Sequence, residues 1–180
     1  MRKCRVSPDQ DSGIISKEQA MQVFTIGVYG WTLEAFVSAL QHRGVQVLID
    51  TRQRRGVRGA RYRFANAKSL QALLTQHGVQ YCYVKALAPP IEIRQIQKVH
   101  DAANRTLKRK RLQLAPDYID AYNRRVLDRY DWADIRALQA QGIQRIALLC
   151  VETYPEACHR SLIADRMAKQ FAAEVEHITP

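Results

Sequence analysis

The sequence predicts an α/β fold, a three-layer Rossmann-like domain with a mainly parallel sheet and a helical insertion before the last core strands. Short apolar runs of strand type alternate along the chain with segments in which apolar residues recur at helical spacing. Glycine follows several of the helical segments, as is typical of helix ends. Parallel strands joined through helices need crossovers that cover both faces of the sheet, which produces three layers.

The chain divides into an arm and one domain. Residues 1–21 show no sustained period of apolar residues, so we expect an arm outside the core. Residues 22–180 form the single α/β domain of this prediction. A chain of 180 residues is long enough to bury a proper hydrophobic core.

The first half of the domain predicts three strands and two helices. The strands are expected at residues 23–26, 45–50 and 79–84. The first helix follows Thr32, a suitable N-cap, and ends at Gly44. The second helix is marked by Leu70 and Leu74 and ends at Gly78.

The second half begins with the helical insertion. After Pro89 and Pro90, apolar residues recur at helical spacing as far as Gly142. Residues 143–151 are the most apolar strand candidate. A helix follows that strand, and residues 173–178 are predicted to form the final strand.

The charge balance favours anionic partners. Lys and Arg number 28 against 17 Asp and Glu, a formal net charge of +11. A positive field of this kind attracts phosphate-bearing ligands, and charge alone does not separate nucleic acid from nucleotide. No apolar run approaches the roughly 20 residues of a membrane-spanning helix, so a membrane partner is not expected.

The amino-terminal region and the cysteines favour the cytoplasm. Residues 7–16 are polar where a signal peptide has its apolar stretch. Of the four cysteines, Cys82 and Cys150 lie in apolar strand-like runs, where a small buried thiol is common. We therefore expect reduced cysteines in a cytoplasmic protein.

Polar residues follow the predicted strands, where open α/β sheets bind their ligands. Asp50 and Glu152 end two strands, and each is a candidate for moving a proton. Thr25 and Gly27, at the end of the first strand, are candidate ligand contacts. A common site at the carboxyl ends of the strands is the central expectation.

Arg52 and Arg160 have two interpretations. Guanidinium groups bind phosphate oxygens through paired hydrogen bonds, so the two residues are candidates for a two-armed anion clamp. Alternatively, they neutralise Asp50 and Glu152 as structural ion pairs.

Cys158 and His159 are the remaining catalytic candidates. Thr153 and Glu156 have the spacing of a capping box, which would place Cys158 in the first or second turn of a helix. A helix N-terminus, with His159 and Arg160 beside it, would lower the pKa of the thiol. Alternatively, Cys158 is a small apolar residue that packs between helix and sheet.

The spacing does not predict a metal site. Asp50, Glu152, Cys158 and His159 are all potential ligands, but the adjacent pair Cys158 and His159 lacks the usual zinc spacing. No cofactor is identifiable from the residues.

Two basic clusters are candidate nucleic-acid contacts. The first lies just beyond the second strand, is interleaved with Tyr62 and Phe64, and comprises Arg54, Arg55, Arg58, Arg61 and Arg63. The second is expected to end a long helix and comprises Lys108, Arg109, Lys110 and Arg111. Their structural alternatives are a solvated loop and a solvated helix end, where cations suit the helix dipole.

The motifs together resemble the family grouped as domain of unknown function 488. Its late Cys-x-Glu and Cys-His-Arg stand here at Cys150 and Glu152 and at residues 158–160. The earlier Thr-Ile-Gly, Asp-Thr-Arg and tyrosine positions stand at residues 25–27, 50–52 and 81, so the resemblance spans roughly residues 24–170. It implies a Rossmann-like fold and a shared site but no established reaction.

Three functional hypotheses follow. The first is a protein that binds a phosphate-bearing ligand, nucleic acid or nucleotide, with enzymatic activity at the strand ends left open. The second is a non-catalytic nucleic-acid-binding module that uses the basic clusters. The third is a thiol-dependent enzyme, such as a sulfur transferase, with Cys158 as nucleophile.

Overall fold

The computed structural model describes residues 20–107 and 110–180 of the chain, which lie in one α/β domain. The strands are β1 (Gln22–Ile26), β2 (Val47–Asp50), β3 (Gln80–Tyr83), β4 (Arg145–Leu149) and β5 (Glu174–Ile178). The helices are α1 (Leu33–His42), α2 (Ala67–Gln76), α3 (Ile91–Ala103), α4 (Pro116–Arg125), α5 (Ala133–Ala140) and α6 (His159–Phe171). The expected arm lies almost wholly outside the described residues.

The five strands form one parallel sheet in the order β3-β2-β4-β1-β5. In this sheet Ile146 of β4 pairs with Val23 of β1 on one side and with Val47 of β2 on the other. Because all strands point the same way, their carboxyl ends lie along one edge. The predicted α/β class with a parallel sheet is confirmed.

Helices cover both faces of this sheet. Alternate residues of a strand face opposite sides, so Phe24 and Ile26 belong to one core and Val23 to the other. The first core packs under α1 and α2, and the second packs under α3 to α6. The three-layer arrangement is therefore confirmed, and the helical insertion α3 to α5 lies entirely on one face.

Local hydrogen bonds determine where α1 and α6 begin, and the predicted start of α6 was wrong. Thr32 caps α1, since its Oγ1 accepts a hydrogen bond from the backbone N–H of Ala35 at 3.2 Å. The expected capping box at Thr153 does not form, because Thr153 Oγ1 donates to Tyr29 O instead. Pro155–Ala157 forms a 3-10 turn, so α6 begins only at His159 and Cys158 is its N-cap residue.

The longest described helices, α3 and α6, have 13 residues each. A bilayer-spanning helix needs about 20 predominantly apolar residues. No helix within residues 20–107 and 110–180 is long and apolar enough to cross a membrane. The helix α3 ends at Ala103, so Lys110 and Arg111, the described members of the second basic cluster, lie beyond its last turn.

Candidate functional site

A cavity of about 560 Å³ opens at the carboxyl ends of β2 and β4. We call it the strand-end cavity. Its walls come from the segment after β2, the segment after β4, the start of α6 and one face of α3. The lining residues used below are Tyr29, Arg52, Arg54, Arg58, Arg94, Gln97, Lys98, Asp101, Arg111, Tyr118, Cys150, Glu152, Cys158 and His159.

Two cysteines and a histidine form one buried group in the cavity wall. Cys150 follows β4, and Cys158 and His159 stand at the start of α6. The Sγ atoms of Cys150 and Cys158 each lie 3.8 Å from His159 Nδ1. We call these three residues the Cys-Cys-His cluster. Both thiols are free, whereas Cys82 is disulfide-bonded, so the expectation of reduced cysteines is correct for this pair only.

The two thiols differ in their acidity. Burial raises the pKa of Cys158, but the hydrogen bond with Cys150 and the charges of His159 and Arg160 outweigh it, so the pKa lies well below its ordinary value. The same hydrogen bond, together with burial, raises the pKa of Cys150. Cys158 is therefore the more acidic thiol of the pair.

Asp50 and Arg52 form a buried ion pair. Arg52 donates from Nε to Asp50 Oδ1 at 2.8 Å and from Nη2 to Oδ2 at 2.7 Å, and a third donor reaches Ala65 O. The Tyr81 hydroxyl also donates to Asp50 Oδ2 at 2.7 Å. The carboxylate faces these groups and does not line the cavity, so the geometry favours the structural interpretation of both residues.

Arg160 is also held within the protein. Its guanidinium is fully buried and donates to Glu152 O, Thr153 O and Thr25 Oγ1. Gly27 lies against the same segment, because a Cβ atom there would be 1.9 Å from Glu152 O. Thr25, Gly27 and Arg160 thus contact the turn after β4 and do not line the cavity, so the geometry favours the structural interpretation of Arg160.

The face of α3 was missed by sequence reasoning. Arg94, Gln97, Lys98 and Asp101 all line the cavity. They recur at intervals of three and four residues, so the helical period could have found them as a polar face. Arg111 joins them by donating to Asp101 Oδ2 at 2.9 Å and lies 3.6 Å from Glu152 Oε1.

The arginines and lysines predicted to contact nucleic acid do not all lie at one site in the structure. Of the loop arginines, Arg54 and Arg58 line the cavity, whereas Arg55 lies 4.0 Å over the Tyr83 ring. Arg61 donates to Gly30 O, and Arg63 is exposed away from the cavity. In the second cluster Arg111 lines the cavity and Lys110 is exposed, while Lys108 and Arg109 lie outside the described residues.

Several cavity cations have no carboxylate partner. Within the described ranges, no acidic oxygen lies within 4.0 Å of the charged nitrogens of Arg54, Arg58, Arg94 or Lys98. The Nε atoms of Arg94 and Arg111 are buried without a hydrogen-bond partner among these residues. Buried donors without partners are unusual, and an anion in the cavity would satisfy them.

A family model described as a domain of unknown function, DUF488, matches residues 32–167. The match spans more than half of the chain and contains Arg52, Glu152 and the Cys-Cys-His cluster, while Thr25 and Gly27 precede it. No curated protein and no solved structure matches the chain.

Proposed function

The chain belongs to the DUF488 family, whose name assigns no reaction, and from its cavity we propose that it binds a phosphate-bearing ligand of nucleotide size at the carboxyl ends of β2 and β4. This edge of the sheet is where α/β domains of this kind hold ligands. The cavity volume of about 560 Å³ falls within the usual range for small-molecule sites.

The unpaired cations carry the proposal. Arg54, Arg58, Arg94 and Lys98 face the cavity from two different elements, and a phosphate between them would accept hydrogen bonds from both sides. Tyr29 and Tyr118 add aromatic surface to the wall, which suits the base or another flat part of such a ligand. On a solvated basic face the Nε of Arg94 would be in contact with water, whereas here this atom is buried.

Any catalysis at this site falls to three of the four predicted catalytic residues. Glu152, Cys158 and His159 line the cavity, whereas Asp50 is enclosed by Arg52 and Tyr81. Glu152 is 6% exposed and lies near Arg111. Of the two carboxylates predicted to be catalytic, Glu152 is therefore the one that lines the cavity.

Calorimetric titration with pyrophosphate and with ADP tests the proposal. The protein is kept in a chelator, so that metal ions play no part. We expect saturable binding, weakened about tenfold or more by Arg94→Met, since a hydrogen bond to a charged group contributes about 1.5–3 kcal/mol. Arg125→Met is the matched control, because Arg125 is exposed and does not line the cavity.

The proposal fails if neither compound binds the folded wild-type protein. It also fails if Arg94→Met and Arg125→Met bind both compounds as tightly as the wild type does. Melting temperatures of both variants establish that they are folded.

Exposed arginines beyond the cavity support a second candidate, in which the phosphate belongs to a nucleic-acid strand. Arg61 and Arg63 are exposed and follow Arg54 and Arg58 along the chain, with Tyr62 between them in the sequence. Such a surface can follow a backbone while an aromatic ring stacks on a base. A single-stranded oligonucleotide would then bind more tightly than ADP, and Arg61→Ala with Arg63→Ala would weaken the oligonucleotide alone.

A further inference from the structure

We propose that the Cys-Cys-His cluster binds a zinc-class metal ion through Cys150 Sγ, Cys158 Sγ and His159 Nδ1. These three atoms lie within 4.8 Å of one another, and all three residues are buried. The proposal does not depend on phosphate binding, although both concern the strand-end cavity.

The distances fit a tetrahedral centre. Zinc lies about 2.3 Å from a thiolate sulfur and about 2.0 Å from a histidine nitrogen, so at a tetrahedral centre the sulfur and the nitrogen stand about 3.5 Å apart. In this protein the two sulfur–nitrogen distances are both 3.8 Å. Each sulfur–nitrogen distance therefore has to shorten by only a few tenths of an ångström, and the two sulfurs lie within 4.8 Å of each other.

The histidine is held in the tautomer that a metal requires. Thr51 Oγ1 donates its proton to Leu149 O at 3.0 Å, so at its 3.2 Å contact with His159 Nε2 it can only accept. Thr51 O, also 3.2 Å from Nε2, is an acceptor as well. The proton of the neutral imidazole must then be on Nε2, which leaves the lone pair of Nδ1 facing both sulfurs. Outer-shell hydrogen bonds of this kind orient metal-binding histidines.

The backbone explains how adjacent residues serve as ligands. Cys158 has the extended conformation of an N-cap residue, with φ −141° and ψ 140°, and His159 is the first residue of α6. The change of backbone conformation brings both side chains to the same point, where Cys150 arrives from the end of β4. The potential metal ligands named from the sequence were Asp50 and Glu152 with Cys158 and His159, and Cys150 was not among them.

The donor set selects the class of metal. Two thiolates and an imidazole suit borderline or soft ions, among which zinc is the usual occupant. Two thiolate charges also neutralise a divalent ion, so the buried centre as a whole carries no net charge. Because all three residues line the cavity, the fourth position faces it, as in catalytic zinc sites that hold a water or a ligand oxygen there.

Cobalt(II) titration followed by absorbance tests this site. The full chain is treated with a chelator and a phosphine reductant, freed of chelator and titrated with Co²⁺. We expect one strongly bound equivalent with a thiolate-to-cobalt charge-transfer band, which Zn²⁺ then removes, because zinc binds such sites more tightly. The band is expected to disappear in the double variant Cys150→Ser, Cys158→Ser, and Co²⁺ affinity to fall at least tenfold in His159→Ala.

His100→Ala is the matched control, since His100 is an exposed histidine of α3 that does not line the cavity. It should bind Co²⁺ as the wild type does, with the same absorbance. Near-ultraviolet circular dichroism establishes that each variant is folded, and a variant that does not fold leaves the wild-type titration to decide.

The proposal is overturned if the reduced wild-type protein gives no charge-transfer band with excess Co²⁺. It is equally overturned if the folded double variant gives the same band, which would assign the binding to other cysteines. The first result would leave Cys150 and Cys158 as a hydrogen-bonded thiol pair. Neither result bears on pyrophosphate binding, which is measured in chelator.

Discussion

Asp50 is fully buried, and its two carboxylate oxygens accept hydrogen bonds from Arg52 and Tyr81. An ion pair enclosed in this way has lost its water, so each charge depends on the other. The pair ends β2 directly beside the cavity, where it holds the backbone from which Arg54 and Arg58 extend. We therefore expect the pair to position that segment.

We expect Asp50→Asn to lower the free energy of unfolding by about 3–5 kcal/mol, because the charge of Arg52 would remain buried without its partner. Urea unfolding measures the difference. Asp131→Asn is the control, since Asp131 and Arg136 form a 2.8 Å pair that is 78% and 54% exposed. Exposed pairs contribute less than about 1 kcal/mol, and equal effects of the two variants would contradict this account of Asp50.

Tyr81 yields a prediction about pH. Burial, with the hydrogen bond to Asp50, raises its pKa from 10.0 to about 12. Because the folded pKa is above the unfolded one, the folded state keeps this proton while the unfolded state releases it. The stability that Tyr81 contributes is therefore complete below about pH 10 and is lost as the pH rises toward 12.

Tyrosinate absorbance checks the Tyr81 prediction. The alkaline titration of Tyr81→Phe should lack one group that titrates near pH 12 in the wild-type protein. If the difference between the two titrations is centred near pH 10 instead, Tyr81 is not held by Asp50 in the way described.

Arg160 stabilises the turn after β4 through backbone acceptors. It donates to Glu152 O, Thr153 O and Thr25 Oγ1, and none of these hydrogen bonds is made to a side chain that lines the cavity. We expect Arg160→Met to lower the melting temperature strongly, because each carbonyl left unsatisfied costs about 1–3 kcal/mol. Thermal unfolding, with Arg125→Met as control, measures this. An unchanged melting temperature with lost ligand binding would instead restore the anion-clamp interpretation.

At the scale of elements, the cavity depends on how closely β1 approaches the segment after β4. Gly27 follows β1, and its Cα hydrogen at the position of a Cβ atom points at the backbone carbonyl of Glu152. The same segment then leads through a 3-10 turn into α6 and sets the position of Cys158. The contact between these two backbones therefore fixes where the Cys-Cys-His cluster stands relative to the sheet.

We expect Gly27→Ala to destabilise the protein by several kcal/mol, since a Cβ atom would lie 1.9 Å from Glu152 O and neither backbone can move freely. Gly56→Ala is the control, because the nearest atom to a Cβ there is 4.0 Å away. Urea unfolding of both variants tests the contact. The account of Gly27 is wrong if the two variants are equally stable.

At the scale of the whole molecule, the chain has a formal net charge of +11, and the lining of the strand-end cavity contains six Arg or Lys residues against two carboxylates. Exposed Arg54, Arg58, Arg61 and Arg63 would each neutralise one phosphate of a strand bound across the opening. The salt dependence of the binding affinity then reflects how many phosphates of the ligand contact these arginines.

If a single-stranded oligonucleotide contacts all four arginines, log affinity should fall with log salt at a slope of about −3. Fluorescence anisotropy at several salt concentrations measures this slope, whose magnitude Arg61→Ala with Arg63→Ala should reduce by about 1.4. A flat response would remove the nucleic-acid candidate and leave the nucleotide-sized ligand.

Much of the fold could be predicted, and the site only in part. The strands at residues 23–26 and 45–50 and the cap at Thr32 were correctly predicted because they follow local patterns. The start of α6 was misplaced, since a capping-box spacing does not exclude the 3-10 turn that forms there. Arg94 and Lys98 were missed because a polar helical face usually meets solvent, and only the packing of α3 turns it toward the cavity.

The sequence by itself determined the α/β class, the parallel sheet and the concentration of polar residues at one edge, because periodicity and strand ends are local properties of the chain. Only the tertiary structure decided which charged side chains have hydrogen-bond or ion-pair partners within the protein. Arg52 and Arg160 are bound within the protein, whereas Arg94 faces the cavity without a carboxylate partner among the described residues. That distinction depends on distances between residues far apart in the chain, and electrostatic and hydrogen-bond energies follow those distances.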